Sequence, residues 1–339
     1  MILLADTHLG FDYPVRPRIQ RRRRGYDFFD NFKRVLRHAI ETKADFVIHG
    51  GDFFFRSKIP PKIVDLAYQM LFDFSDNDIP FIIVPGNHER SRLPNSILFT
   101  HPHIHIFDRP KTLQLKIKNT QVAISGFPFE RNNIRDRFQE ILKAAKAENL
   151  SSDIRLLCMH QAIEGARVGP ANYTFRYGRD VIRTNDIPTD FLAVLCGHIH
   201  RKQILLKHTG DCQSLVPVIY PGSIERTSFA EKSEDKGFFE LEFCPTGEDH
   251  WKIHHTEFIS LPTRPMVDVI LNGEVDSKNI KEFILSKIES LDPDSIIRLK
   301  VDPVCDPIVR SLLTSSFLRD LLPKTMNFQF STDFYRDRR

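Results

Sequence analysis

Seven side chains of the kinds that hold divalent metal ions each stand at or just beyond the end of an apolar run. Asp6 and His8 follow Ile2-Leu3-Leu4-Ala5. Asp52 follows Phe46-Val47-Ile48 through His49 and two glycines, and Asn87 follows Phe81-Ile82-Ile83-Val84 through Pro85-Gly86. His160 closes the run from Ile154 to Met159, and His198 and His200 follow the run from Phe191 to Cys196 and Gly197. On extended backbone, residues two apart point the same way, so Asp6/His8 and His198/His200 present paired donors. Glycines just before Asp52, Asn87 and His198 permit tight turns and close approach to an ion. Carboxylate, amide and imidazole without thiolate suit Mn²⁺, Fe²⁺ or Mg²⁺ better than a structural zinc. Two such ions, roughly 3.5–4 Å apart around a shared carboxylate, carry out phosphoester chemistry.

Donors this far apart in sequence meet only if the runs are strands of one layered α/β domain, whose ligand crevice lies beyond the carboxyl ends of its strands. The intervening segments have the periodicity this requires. Phe28, Phe29, Phe32, Val35, Leu36, Ala39 and Ile40 define a helix over 26–42, and Ile63, Leu66, Ala67, Met70, Leu71 and Phe74 define one over 61–74. Residues 131–147 also read as helical, and 201–258 as successive strands. A boundary falls near Leu261-Pro262-Thr263-Arg264-Pro265. Beyond it the pattern is strand 266–271, helix 277–290, strand 295–301, helix 307–320 and strand 325–330, which gives domains 1–260 and 261–339.

Composition narrows the class. The balance of 48 Lys+Arg against 44 Asp+Glu is only mildly basic and does not by itself mark a nucleic-acid binder. No apolar run approaches the roughly 18 residues of a membrane span. The N-terminus lacks the basic region of a signal peptide. The five cysteines are scattered, with no C-x-x-C, so neither a disulfide framework nor a thiolate zinc site is expected. These features predict a reducing, cytoplasmic setting. The 28 Phe predict a Phe-rich core.

The ordered set Asp6/His8, Gly51-Asp52, Gly86-Asn87-His88-Glu89, His160 and Gly197-His198-Ile199-His200 resembles the calcineurin-like metallophosphoesterase superfamily. Asp6-Thr7-His8-Leu9-Gly10, Asp45 to Asp52 and Tyr220-Pro221-Gly222-Ser223-Ile224-Glu225-Arg226 resemble, more narrowly, the SbcD-type DNA double-strand-break repair nucleases. The resemblance covers residues 1–260; the tail is similar to that family's capping domain in pattern alone. It implies a metallophosphoesterase sandwich of mixed β-sheets flanked by helices, with a small α+β capping, DNA-binding domain. It also implies a metal-dependent nuclease, exonuclease and/or endonuclease, with two divalent ions and Mn²⁺ favoured. One ion would be held by Asp6, His8, Asp52 and His200, the other by Asp52, Asn87, His160 and His198, with Asp52 bridging. His88 would be the general acid, oriented by Glu89. A homodimer, DNA, an SMC-like ATPase partner and a nucleoid-associated location follow from the same resemblance. The helical tail that usually binds such an ATPase is expected to be short, absent or removed, because the sequence stops at Arg339. One departure stands out: Phe55 occupies the place, three residues after the bridging Asp, where the family usually has His.

Two basic segments are candidate DNA contacts: Arg18, Arg21, Arg22, Arg23 and Arg24 after the first metal motif, and Arg176 and Arg179 among the aromatics Tyr173, Phe175 and Tyr177. The alternative for the first is a solvated face, and for the second an ordinary loop with aromatic anchors. His101, His103 and His105 alternate like donors but are expected to be strand imidazoles, and His49 a satisfied core histidine. The alternatives to a nuclease are a phosphodiesterase for nucleotides or cyclic nucleotides, and a DNA-binding scaffold with weak catalysis.

Overall fold

The computed structural model describes residues 1–12, 22–94, 100–146, 151–206, 216–247, 250–302 and 304–331. In the strands Ile2–Leu4, Val47–His49 and Phe81–Ile83, successive side chains serve two different cores. Ile2, Leu4, Val47, Phe81 and Ile83 pack with Phe28, Phe32 and Val35 of the helix Arg24–Glu41, and with Val64, Leu71 and Phe74 of the helix Pro61–Ser75. Leu3, Ile48 and Ile82 point the other way, into a core shared with Ile124, Leu156, Leu195 and Ile219 of a second sheet. The far face of that sheet, through Leu157, Met159 and Val194, covers Phe138 and Ile141 of the helix Ile134–Ala144. Four layers result, helix–sheet–sheet–helix. Ten phenylalanines in these layers are almost wholly buried, as the composition predicts.

Both sheets are six-stranded and mixed. In the first, Ile2–Leu4, Val47–His49, Phe81–Ile83 and Ile104–Ile106 run parallel, while Gly237–Pro245 and Trp251–Ser260 add antiparallel at one edge. In the second, Thr120–Gly126, Ile154–His160, Ala193–Gly197 and Val218–Tyr220 run parallel, with Lys111–Ile117 and Gln203–Leu205 antiparallel outside them. The expected fold class, mixed sheets flanked by helices, is what forms. No helix among the described residues is long and apolar enough to cross a membrane.

The chain divides into two compact units. The larger holds Met1–Phe11, Gly25–Thr227 and Ser233–Pro262; the smaller holds the described residues among Asp12–Arg24, Ser228–Lys232 and Thr263–Arg339. The smaller unit has a parallel three-stranded sheet of Met266–Leu271, Ile296–Val301 and Asn327–Phe330. The helices Ile280–Glu289, Pro307–Leu312 and Ser315–Leu321 pack on it around Val269, Ile284, Leu299 and Leu318. The single helix expected over 307–320 is two. Leu313 leaves helical geometry (ψ 69°), and the Thr314 hydroxyl accepts the Phe317 N–H, so a new helix starts there. Residues 12 and 22–24 are integral to this unit: Arg22 donates its N–H to Lys324 O, its carbonyl accepts from Asn327 Nδ2, and its guanidinium binds Asp294 at 2.6 Å.

Asp268 is the charge centre of the smaller unit. Arg298 grips it at 2.5 and 3.0 Å, Lys232 at 2.8 Å and Lys300 at 3.5 Å. Burial opposes its ionisation, but these cations hold its carboxyl well below the ordinary carboxylate range. A pKa depressed on folding adds stability that is complete above the unfolded value near 3.9 and is lost as pH falls towards the folded one. Asp268→Asn is therefore expected to destabilise the smaller unit at pH 7. The gap from wild type should shrink in urea unfolding curves taken below pH 4. A gap independent of pH would refute the ion-pair account.

Candidate metal centre

Two segments beyond neighbouring parallel strands zip together and set the site. Asp6 N–H donates to Gly51 O (2.8 Å), His8 N–H to Asp52 O (3.0 Å) and Leu9 N–H to Phe53 O (2.9 Å). To make these bonds while turning their side chains inward, Asp6, His8 and Asp52 take left-handed backbone angles, with φ of 51°, 44° and 54°; His198 follows at 87°. Such residues cost about 1–3 kcal/mol each and persist only where the surroundings over-determine them. The glycines do what the spacing predicts. A Cβ on Gly51 would overlap the His160 ring, and one on Gly86 would overlap the Asp52 carboxylate.

The seven predicted donors meet in this one place. His8 Nε2 and His200 Nε2 lie 2.9 Å apart, with Asp6 Oδ1 3.8 Å from the latter. Asn87 Oδ1 faces His198 Nδ1 at 2.9 Å and His160 Nε2 at 3.1 Å. Asp52 sits between these groups. Its Oδ1 accepts the His88 N–H (2.9 Å), which leaves Oδ2 turned to His160 Nε2 at 3.3 Å. Donor atoms of Asp6, His8 and His200, of Asp6, Asp52 and His160, and of His8, Asp52 and His88 all lie within 4.8 Å of one another. Among the described residues, no such group involves His101, His103 or His105. His101 and His103 instead face Asp76 and Asp78, at 3.9 and 3.3 Å.

The electrostatics fit a cation pocket. Burial opposes ionisation of Asp52, yet His160, His8 and His88 hold its carboxyl far below the usual range. Burial likewise opposes charge on His160, but Asp52 raises that imidazole to about 9. Burial pushes the Asp6 carboxyl up to about 6, restrained by His200 and His160. His160 Nδ1–H is committed to Gly50 O at 2.8 Å, so Nε2 is the atom left for a ligand role.

His88 stands beside the donors. Its Nδ1–H donates to Phe55 O at 2.5 Å, which turns Nε2 towards the centre, 3.8 Å from Asp52 Oδ2. The Phe55 ring lies 5.6 Å from the His88 ring and edge-on to His8. Glu89 does not touch His88. It is buried, and its two oxygens accept the Phe54 N–H (2.5 Å) and the Gly86 N–H (2.9 Å), which ties the Asp52 loop to the Asn87 loop. Burial and the nearby Asp52 raise its carboxyl to about 8.

Two supports escaped the sequence reading. Lys236 is buried and donates to His200 O (2.9 Å), which also accepts the Ser223 N–H (3.1 Å). Ser223 bridges back to Ala5, so the Tyr220–Arg226 motif is a buttress between the first strand and the His198–His200 turn. The sequence signal was the motif itself, which carried a resemblance but no chemistry.

The candidate DNA contacts separate. Arg18 and Arg21 lie outside the described residues. Arg22 is engaged by Asp294, Arg23 lies 3.9 Å from Asp12, and Arg24 is buried. Arg176 and Arg179 are exposed, beside Tyr177 at 82% exposure. Arg201 donates to Asn172 Oδ1 and Gly169 O, which ties their loop to the backbone next to His200.

Residues 1–202 match the calcineurin-like phosphoesterase family, and the chain belongs to it. It is accordingly a phosphoesterase enzyme with a dinuclear divalent metal site. Among curated proteins, the DNA double-strand break repair protein Mre11 of Methanocaldococcus jannaschii is 27% identical over 294 residues, 84% of this chain and 72% of that protein. The protein of the same name from Archaeoglobus fulgidus is 25% identical over 320 residues, 88% of this chain and 67% of its own. That from Methanococcus maripaludis is 26% identical over 256 residues, 70% of this chain and 61% of its own. A solved dimetal phosphatase from Danio rerio aligns over 71% of this chain and 91% of its own, with TM-score 0.42 and 10% identity.

Proposed function

We propose that this chain is a metal-dependent DNA nuclease of double-strand-break processing. The observation that carries the reading is the gathering of Asp6, His8, Asp52, Asn87, His160, His198 and His200 around one point, in a chain whose relatives are named for break repair. Asp6, His8, Asp52 and His200 would hold one ion and Asp52, Asn87, His160 and His198 the other, with Mn²⁺ the favoured metal. A bound pair of divalent ions supplies a water activated near neutral pH and a clamp for phosphoryl oxygens. Hydrolysis exchanges the bond from phosphorus to the sugar oxygen for one to a water oxygen, and the departing sugar oxygen needs a proton. His88 gives that oxygen its proton from Nε2, while Phe55 O keeps the other ring nitrogen occupied. Exposed Arg176, Arg179 and Tyr177 offer backbone neutralisation and stacking. The smaller unit serves as a DNA-binding cap. The chain works as a homodimer with an SMC-like ATPase, in the cytoplasm at the nucleoid.

End-labelled DNA, incubated with Mn²⁺, Mg²⁺ or EDTA, tests this reading. Cleavage is expected with Mn²⁺ and none with EDTA, and the label pattern gives polarity. His88→Gln should lower DNA cleavage by about 10²–10⁴-fold, the usual contribution of a positioned acid. It should spare bis-p-nitrophenyl phosphate, whose leaving group needs no proton. Hydrolysis of the small ester with DNA left intact would overturn the nuclease reading. Equal losses on both substrates would remove His88 from the acid role.

A further inference from the structure

His49 is wholly buried on the strand that leads to Asp52, and both hydrogen bonds of its ring go to the segments that present Asp6, His8 and Asp52. Gly51 N–H donates to its Nδ1 at 3.2 Å. An amide nitrogen can only donate, so Nδ1 is the acceptor and Nε2 carries the proton. That proton goes to Thr7 Oγ1, 3.0 Å away, and the Thr7 hydroxyl donates onward to Phe53 O at 2.9 Å. The relay thus runs from Gly51, through His49, to the residue between Asp6 and His8, and back to the residue after Asp52. It lies across the backbone zipper that holds these three residues in left-handed geometry. The ring is pinned edge-on against Phe53, with centroids 5.2 Å apart. Burial, then the nearby His160, pushes its pKa down to about 3, which keeps it in the neutral form the relay needs.

We infer that His49, through Thr7, is a positioning residue that holds the Asp6–His8 and Gly51–Asp52 segments in the register a dinuclear centre requires. The inference rests on the reading of Asp6, His8 and Asp52 as metal ligands. It concerns affinity for the metal rather than the chemical step, because His49 touches none of the donor atoms and acts only on the backbone that aims them.

Calorimetric titration of the full chain with Mn²⁺, beside thermal unfolding in EDTA, tests it. His49→Leu removes both bonds at similar volume, Thr7→Val removes the hydroxyl, and His49→Gln keeps a donor within reach of Thr7. Loss of a partner behind a metal ligand typically costs 10–100-fold in affinity, so His49→Leu and Thr7→Val should each weaken Mn²⁺ binding by about that factor. The double variant should lose little more than either alone, because both cut one relay. His49→Gln should recover part of the loss. If the His49→Leu chain does not fold, Thr7→Val and His49→Gln carry the test. Variants that melt earlier in EDTA yet bind Mn²⁺ like wild type would make His49 a core residue only and overturn the inference. Asp52→Asn in the same titration separates the two readings: wild-type affinity there sinks the ligand assignment itself, whereas a loss there with none at His49 or Thr7 sinks this inference alone.

Discussion

Asp52→Asn is expected to lower phosphodiester hydrolysis by at least about 10³-fold while leaving the fold intact. The side chain is nearly isosteric, and its Oδ1 position still accepts the His88 N–H. What changes is Oδ2, the atom turned to His160 at 3.3 Å and to His88 at 3.8 Å. An amide there carries no charge, and its NH₂ group aims a proton where the proposed bridge would need a lone pair. Metal-centred stabilisation is worth several kcal/mol in the transition state, and each 1.36 kcal/mol is tenfold in rate, which sets the scale of the loss. The same change removes the anion that raises His160, so that imidazole should titrate at lower pH in the metal-free variant. Hydrolysis of bis-p-nitrophenyl phosphate with Mn²⁺, circular dichroism and a metal titration check the three parts. Near-wild-type hydrolysis would remove Asp52 from the bridging position.

Gly51→Ala should be severely damaging. Gly51 has φ of 111°, and its missing Cβ is replaced in space by the His160 ring. Strained backbone costs about 1–3 kcal/mol, and forcing an extra carbon into a packed site costs about 1–3 kcal/mol more. The sum is a loss of roughly 2–6 kcal/mol, together with displacement of His160 from Asn87 and Asp52. Gly169→Ala is the control. Gly169 also has positive φ, 68°, but a Cβ there meets nothing within 4 Å. It should show the strain alone and no change in Mn²⁺ affinity. Urea unfolding in EDTA and a metal titration would distinguish them; identical behaviour of the two variants would contradict the close-packing account.

The donors were legible because each rule involved is local. An apolar run, then glycine, then Asp, Asn or His, can be read within about ten residues, and parallel strands bring the run ends together. What supports the donors was not legible, because its partners are remote. His49 and Thr7 are 42 residues apart, and Glu89 reaches Phe54 35 residues away. Adjacency of Glu89 to His88 suggested an orienting bond, but the turn after Asn87 sends the carboxylate the other way, to two backbone N–H groups. The arginine run reads as one uniform charge cluster, yet Arg22 is committed to Asp294, 272 residues on. The break at Leu313–Thr314 went unseen because apolar spacing continues through it and only the Thr314 hydroxyl interrupts the helix.

The attachment of Arg22 also governs the order in which the chain can be finished. Its carbonyl waits for Asn327, 305 residues later, and its N–H waits for Lys324. At about 5–20 residues per second, a ribosome needs roughly 15–60 s to deliver those partners. Arg22 therefore emerges long before its partners exist, while the strands Ile2–Leu4 and Val47–His49 can already pair. Cutting the chain at Pro262 would not release two independent pieces. It would leave the first with residues 12 and 22–24, which belong to the second, and the second without the bonds that Arg22 makes to Asp294, Lys324 and Asn327.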